Sequence, residues 1–266
     1  MNKGVGFKLI TIVCLSMLLL GSINIYINYS RELELDYQEK YQEFDLVADV
    51  IENDIQRWLN CRENEVILMS KDPLLQQYIN ALGTANEGAL AAKQRQYWLD
   101  MQTQYGSYDE IYLITASGHI MLSTDQSRID TARPVDDLVK LPLSTGSICF
   151  QDAYYSLKNN QHSIAFSIPV INWAQPYWVE YAGVLVCRIN IDEVVNPLLN
   201  SRMNLGETGD VILIDKERAV LTGLRNQIDS ARHVKLNSEL VTKVSRGEEG
   251  TWRGIGYNGK EIIAVY

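Results

Sequence analysis

Catalysis needs nucleophiles, bases or metal ligands at workable spacings, and this chain offers few of them. Its three histidines, His119, His162 and His233, are scattered. No GxSxG elbow, HExxH helix, phosphate-binding glycine loop or kinase signature occurs. His119 falls at a hairpin turn, where a solvated imidazole is the simplest reading. Adjacent acids stand at Asp109-Glu110 and Glu248-Glu249, but neighbours on a strand point to opposite faces and cannot act as an acid–base pair. The cysteines, Cys14, Cys61, Cys149 and Cys187, show no CxxC or Cys/His ligand spacing. Cys14 lies in an apolar stretch, and a Cys149 to Cys187 bridge is left open. The expectation is therefore no catalytic residues, no metal and no cofactor. A hydrolase assembled from distant residues is the lesser alternative.

The elements that carry these residues are bounded first by composition. The chain has 266 residues, 46% hydrophobic and 21% charged, which suffices for one large or two small cores. Its formal net charge is -9, and setting aside Lys3 and Lys8 makes the remainder more acidic still. Such a surface repels phosphate backbones, so nucleic acid is excluded as an expected partner.

Residues 7–27, FKLITIVCLSMLLLGSINIYI, are long and apolar enough to span ~30 Å of hydrocarbon as a helix. Lys3 and Lys8 precede this segment without an acid between them, whereas Arg31 is followed by Glu32, Glu34 and Asp36. The positive-inside rule then leaves 1–6 in the cytoplasm and exports everything after the crossing. The expectation is a single pass through the inner (plasma) membrane, with a periplasmic or extracellular bulk. A cleaved signal peptide is the competing reading, with its apolar region from Leu9 to Leu20 and small residues at Gly21 and Ser22.

From Ser30 to Met69 there is no Gly or Pro, and apolar residues recur mostly at three- and four-residue steps. This predicts an amphipathic stalk helix over 28–70, continuous with the crossing. About forty residues rising 1.5 Å each make a rod of ~60 Å, more than one small module covers, so part of the stripe is expected to face a second copy in a homodimer. Helical patterns follow at Leu74 to Leu82 and Leu90 to Thr103. Strand signals then come in order: the hairpin DEIYLITASGHIMLSTD, GSICFQDAYYS, HSIAFSIPVIN, and YAGVLVCRINI, whose branched apolar density predicts a central strand. After LGETG, the runs VILID and AVLT predict a hairpin about Lys216-Glu217-Arg218, then a helix at Ser238 to Ser245, then a hairpin about Asn258-Gly259. The fold class is α+β: a long N-terminal helix followed by two tandem antiparallel-sheet modules, 71–195 and 196–266.

In this order, DEIYLITASGHIMLSTD, FQDAYYSLKNNQHSIAFSIPV, GVLVCRINIDEVVNPLL, LGETGDVILIDKERAVLT and YNGKEIIAVY resemble the extracytoplasmic double Cache sensor domains of bacterial membrane receptors, in which two PAS-like modules hang from one long helix. The resemblance implies a small-molecule ligand in the membrane-distal module, 71–195. The membrane-proximal module, 196–266, lacks its last strand, so a longer receptor is expected, with a histidine kinase, diguanylate cyclase or chemotaxis output not readable here. The family's amino-acid-binding branch carries an Arg-x-Trp-Tyr group, a Tyr-x-Asp and a further Asp. The matching positions read Arg133, then Tyr154 with Ser156, then Arg188. Both ammonium-binding acids are thus replaced, by Ser156 and Arg188, which argues against an α-amino acid. Arg188 would favour a carboxylate or another anion, unless it pairs structurally with Asp152, Glu193 or a helix carboxylate. Tyr112, Arg133, Asp152, Tyr154, Ser156 and Arg188 are the candidate ligand-binding residues. Tyr112, Tyr154 and Tyr155 either line the pocket or cap the core, the latter being the stronger reading for Tyr155. The remaining alternative is a membrane-anchored structural or adhesive module, which would have no ligand-sized pocket.

Overall fold

A computed structural model describes residues 3–156, 161–173, 180–193, 195, 205, 208–222, 236, 238–257 and 259–266, with side chains from Cys14 onward. The parts of the expected second module at 196–204, 206–207, 223–235 and 237, and Asn258 of its last turn, lie outside the described residues. The chain divides into two compact units: residues 1–50 with 247–266, and residues 51–246.

The first unit contains the opening part of helix α1, which runs Lys3–Ser70 and so joins the apolar segment 7–27 and the Gly- and Pro-free stretch 30–69 in one helix. It also holds the hairpin β6 (Thr251–Ile255) and β7 (Glu261–Val265), in register from Thr251 opposite Val265 to Ile255 opposite Glu261. The hairpin is fastened to the helix by side chains. Tyr41 donates to the Trp252 carbonyl at 3.3 Å, and the Arg253 guanidinium lies 4.1 Å from the centre of the Tyr37 ring. Leu15, Leu18, Leu19, Leu20, Ile23, Ile25 and Ile27 of α1 are all exposed. Among the described residues no helix is long and apolar enough to cross a membrane. The expected crossing begins within 7–13, whose side chains lie outside the described ones.

The second unit is built on a five-stranded antiparallel sheet of β1 (Tyr108–Ile114), β2 (Ile120–Ser123), β3 (Cys149–Ser156), β4 (Gln161–Ile171) and β5 (Tyr181–Asn190), in the order β2-β1-β5-β4-β3. The strand densest in branched apolar residues, β5, is central, as expected. Strand alternation gives the sheet two faces. Ile111, Leu113, Leu185, Cys187 and Ile189 are fully buried on the face whose β1 and β2 carry helix α3 (Glu87–Tyr105), itself packed on α2 (Pro73–Asn80). Asp72 caps α2 by accepting from Leu74 N at 2.8 Å, and Pro73 opens it where no amide hydrogen is required. The opposite face carries α4 (Asp137–Thr145), where Tyr112, Ile114, Ile120, Leu138, Val139, Ala165, Val184 and Val186 form one core. Cys149 and Cys187 are both free thiols. They lie opposite Ser167 and Phe166, adjacent residues of β4 on different faces, so the bridge left open does not form.

The hairpin expected at VILID and AVLT is present as a single bridge, Ile214 to Val220, flanked by Asp215 N to Ala219 O at 2.9 Å and Leu221 N to Leu213 O at 2.8 Å. The helix expected next is α5 (Glu239–Ser245), capped by Ser238, whose hydroxyl accepts from Val241 N at 3.2 Å.

Candidate functional site

Two register slips decide which side chains meet. In the β1–β5 ladder Tyr108 faces Ile189, but Glu110 faces Arg188, so an extra residue, Asp109, is taken up between them. In the β3–β4 ladder Gln151 faces Ala165, but Tyr154 faces Ser163, with Asp152 and Ala153 in the slip. A one-residue slip moves all later side chains to the other face. The first slip turns Tyr108 toward Glu65 of α1, to which its hydroxyl donates at 2.7 Å, and turns Glu110 onto the α4 face. The second brings Tyr154 onto that same face, beside Arg188.

Arg128 and Arg133 reach the site from the segment after β2. A 3-10 turn, Gln126–Arg128, is capped by Asp125, which accepts from Ser127 N at 3.1 Å. The chain then returns along β2, with Ile120 N to Thr131 O at 2.9 Å and Arg133 N to Gly118 O at 2.8 Å. Gly118 has φ +89°, and a Cβ there would lie 2.3 Å from the Arg133 carbonyl. Only glycine permits both the turn and this approach.

The result is a cluster around the buried ring of Tyr112. The guanidinium carbons of Arg128, Arg133 and Arg188 lie 5.2, 5.7 and 6.0 Å from its centroid, and Arg188 also lies 5.9 Å from the Tyr154 ring. These are cation–π distances in a partly desolvated setting. Two of the arginines are committed. Arg128 donates to Glu110, which also accepts from Ser123 Oγ at 2.9 Å, and Arg133 donates to both the Tyr112 hydroxyl and Asp136. Among the described residues Arg188 is not: its nearest carboxylate oxygen, on Glu110, is 3.8 Å away, and its Nε is buried without a partner. The hydroxyls of Tyr154, Ser163 and Ser167 are likewise buried and unpaired among the described residues.

Burial raises the pKa of Tyr112 above the ordinary phenol value against the pull of Arg133 and Arg188. Burial does the same for Tyr154, with Arg188 again opposing. For Arg188, burial acts to lower the pKa, but Tyr154, Tyr112 and Glu110 outweigh it and the net direction is upward. Both phenols are therefore neutral donors and Arg188 a permanent cation at neutral pH.

Of the six residues singled out by sequence, the structure brings Tyr112, Arg133, Tyr154 and Arg188 together. Ser156 is buried at the end of β3 opposite Gln161. Asp152 is caught in the slip and turned outward, 54% exposed and 3.4 Å from Lys216. Arg188 accordingly approaches Glu110 rather than Asp152 or Glu193. Tyr155 stacks edge-on to His162, with ring centroids 5.4 Å apart. Sequence reasoning missed Glu110, Arg128, Ser163 and Ser167. Glu110 was within reach, since it stands two residues before Tyr112 on one strand, whereas Arg128 depends on a return segment that no local pattern announces. Among the described residues no group of three His, Cys, Asp or Glu could hold a metal ion. A depression of about 390 Å³ on α2 and α3, lined by Gln77, Asn80, Thr84, Asn86 and others, contains no charged side chain and is set apart from the cluster.

No protein-family model matches the chain, and no curated protein matches it. Solved structures do. The sensor domain of the Campylobacter jejuni chemoreceptor Tlp3 with isoleucine bound is 15% identical, covering 85% of this chain and 87% of that one at a TM-score of 0.61. The sensor domain of the V. cholerae histidine kinase DctB is 19% identical, over 70% of this chain and 67% of that one, with a TM-score of 0.55. The ligand-binding domain of the Pseudomonas aeruginosa chemoreceptor PctC in complex with GABA is 17% identical, over 80% and 86%, with a TM-score of 0.53. At these identities the likeness is one of fold, and the fold is that of the double Cache sensor domains.

Proposed function

We propose that this chain is the non-enzymatic, extracytoplasmic input region of a membrane receptor, and that it binds a small carboxylate in the module formed by 71–195. The observation that carries the reading is Arg188, a half-buried cation whose buried Nε has no partner among the described residues, beside the likewise unpaired hydroxyl of Tyr154. A guanidinium edge and a phenol donor converging over a sheet match the two oxygens of a carboxylate. The solved structures of similar fold include complexes with isoleucine and with GABA, both of which carry that group. Segment 7–27 anchors the chain as a single pass, and the exposed apolar run of α1 from Leu15 to Ile27 supports this. Ligand preference for one arrangement of the module shifts the population of α1 positions in a homodimer, passing the signal to a cytoplasmic kinase, cyclase or chemotaxis output.

The test is thermal unfolding of the full chain in detergent against carboxylates, amines and purines. A carboxylate at ~100 times its Kd should stabilise the wild type by ~2.7 kcal/mol. Arg188→Ala should abolish the shift, with Tyr154→Phe reducing it. A response confined to amines or purines, or one that survives Arg188→Ala, would discard the assignment.

A further inference from the structure

The site also counts charge. Three guanidinium groups, on Arg128, Arg133 and Arg188, surround Tyr112, and two carboxylates from the chain already answer them. Glu110 takes Arg128, and Asp136 takes Arg133. Arg188 is the arginine of the three with no hydrogen-bonded carboxylate among the described residues, its nearest carboxylate oxygen, on Glu110, lying 3.8 Å away and its Nε unpartnered. Asp109, in the β1 slip, adds a further negative field at Arg188. Beyond Arg188 the described residues of the five strands place no second cation on this face. Its register partner on β4 is Ala165, flanked on the same face by Ser163 and Ser167, both fully buried with hydroxyls unpaired among the described residues.

Resting on the anion-sensing reading above, we infer that Glu110 and Asp136 act as built-in counter-ions that restrict the site to ligands with a single carboxylate and an uncharged polar remainder, and exclude dicarboxylates. Specificity here is repulsion as much as attraction. A dianion would place its second charge in a low-dielectric site against two fixed carboxylates with no donor of opposite charge to receive it. The uncharged hydroxyls of Ser163 and Ser167 instead suit a hydroxyl or keto group on a short acid.

Binding of lactate and pyruvate should be compared with that of malonate and succinate by calorimetry on the full chain in detergent. The wild type should take the monocarboxylates at least about tenfold more tightly, the scale of one unscreened like charge across a partly buried site. Glu110→Gln keeps the shape and an acceptor for Arg128 while deleting the charge, and should erase or reverse that preference. Asp136 is 44% exposed at its side chain, so Asp136→Asn should fold even if the buried Glu110 variant does not, and it should move the ratio in the same direction. Wild-type dicarboxylate binding equal to or tighter than monocarboxylate binding overturns the counter-ion inference while leaving the anion site standing. So does a ratio unmoved in Asp136→Asn. Binding of neither set, with Arg188→Ala indistinguishable from wild type, overturns the anion site and this inference with it.

Discussion

The two faces of the five-stranded sheet are made from alternate residues of the same strands, yet they do opposite work. On the side facing α3, β5 presents Leu185, Cys187 and Ile189, all fully buried and apolar. On the side facing α4 the same strand presents Val184 and Val186 and then Arg188, so its apolar core gives way to a charged cluster within one step of the pleat. The α3 face is a hydrophobic contact, non-directional and scaled by area. The other is a polar network whose worth depends on every donor finding an acceptor. The difference teaches how donors unpaired among the described residues can be held on one face: the opposite face supplies the stability, and on the proposed reading those donors are where a ligand would bind.

That division of labour makes its largest prediction for a pair of substitutions three residues apart. Leu185→Ala removes a fully buried side chain from the α3 face and should cost about 3 kcal/mol of unfolding free energy, with carboxylate response intact at temperatures where the protein stays folded. Arg188→Ala should change ligand-free stability by about 1 kcal/mol or less, because the loss of cation–π contact is offset by relief of a half-buried, loosely paired charge. Urea midpoints together with ligand shifts measure both. If Arg188→Ala proves as destabilising as Leu185→Ala, Arg188 is a structural ion-pair member and the distinction between the faces fails.

Alkaline pH sharpens the comparison at a smaller scale. Tyr78, buried in the helical layer with its hydroxyl 3.4 Å from the Met121 carbonyl, is pushed up to about 12, first by burial and then by Glu87 and Asp130. A raised folded-state pKa means that the neutral phenol is favoured by folding. The stability is then complete below the ordinary value near 10 and is lost as pH rises from 10 through about 12. That loss amounts to roughly 3 kcal/mol for Tyr78. Tyr112 and Tyr154 are raised too, but the arginines beside them oppose the shift, so the site face should contribute less. Urea unfolding of the wild type and Tyr78→Phe at pH 9 to 12 checks this. A variant with an undiminished alkaline loss would reassign it to other groups, among them Tyr108 and Cys187, which burial also raises.

Much of this architecture was legible in the sequence, and what was not had a common cause. The long helix followed from an unbroken run without Gly or Pro, and the central strand from the branched residues of GVLVCRINI, because both signals are local. Arg133, Tyr154 and Arg188, which the resemblance singles out, and Tyr112 lie together around one ring in the structure. Asp152 was misplaced because simple alternation puts it on the same face as Tyr154, while the slip between Gln151 and Tyr154 turns it to solvent. Glu110 was set aside as one of two adjacent acids, though the slip at Asp109 pairs it with Arg188. Register slips arise from pairing with a partner strand distant in sequence, so no window on one strand reveals them.

The smallest effect tests whether the α3 face is as dry as its apolar strands suggest. Gln94 and Trp98 stand one turn apart on α3 and are both fully buried, so they project from the same side of the helix. Neither amide atom of Gln94 and not the indole nitrogen of Trp98 has a partner among the described residues. A buried polar group without a partner carries its desolvation cost uncompensated, so replacing it with an apolar residue of similar size removes that cost. Gln94→Leu should therefore raise unfolding free energy by about 1 kcal/mol and leave the carboxylate response untouched. A loss of stability instead would show that the amide is satisfied by buried water, which makes several hydrogen bonds to otherwise unsatisfied groups and is costly to displace. The α3 face would then hold a polar site of its own, and the contrast between the two faces would be one of degree.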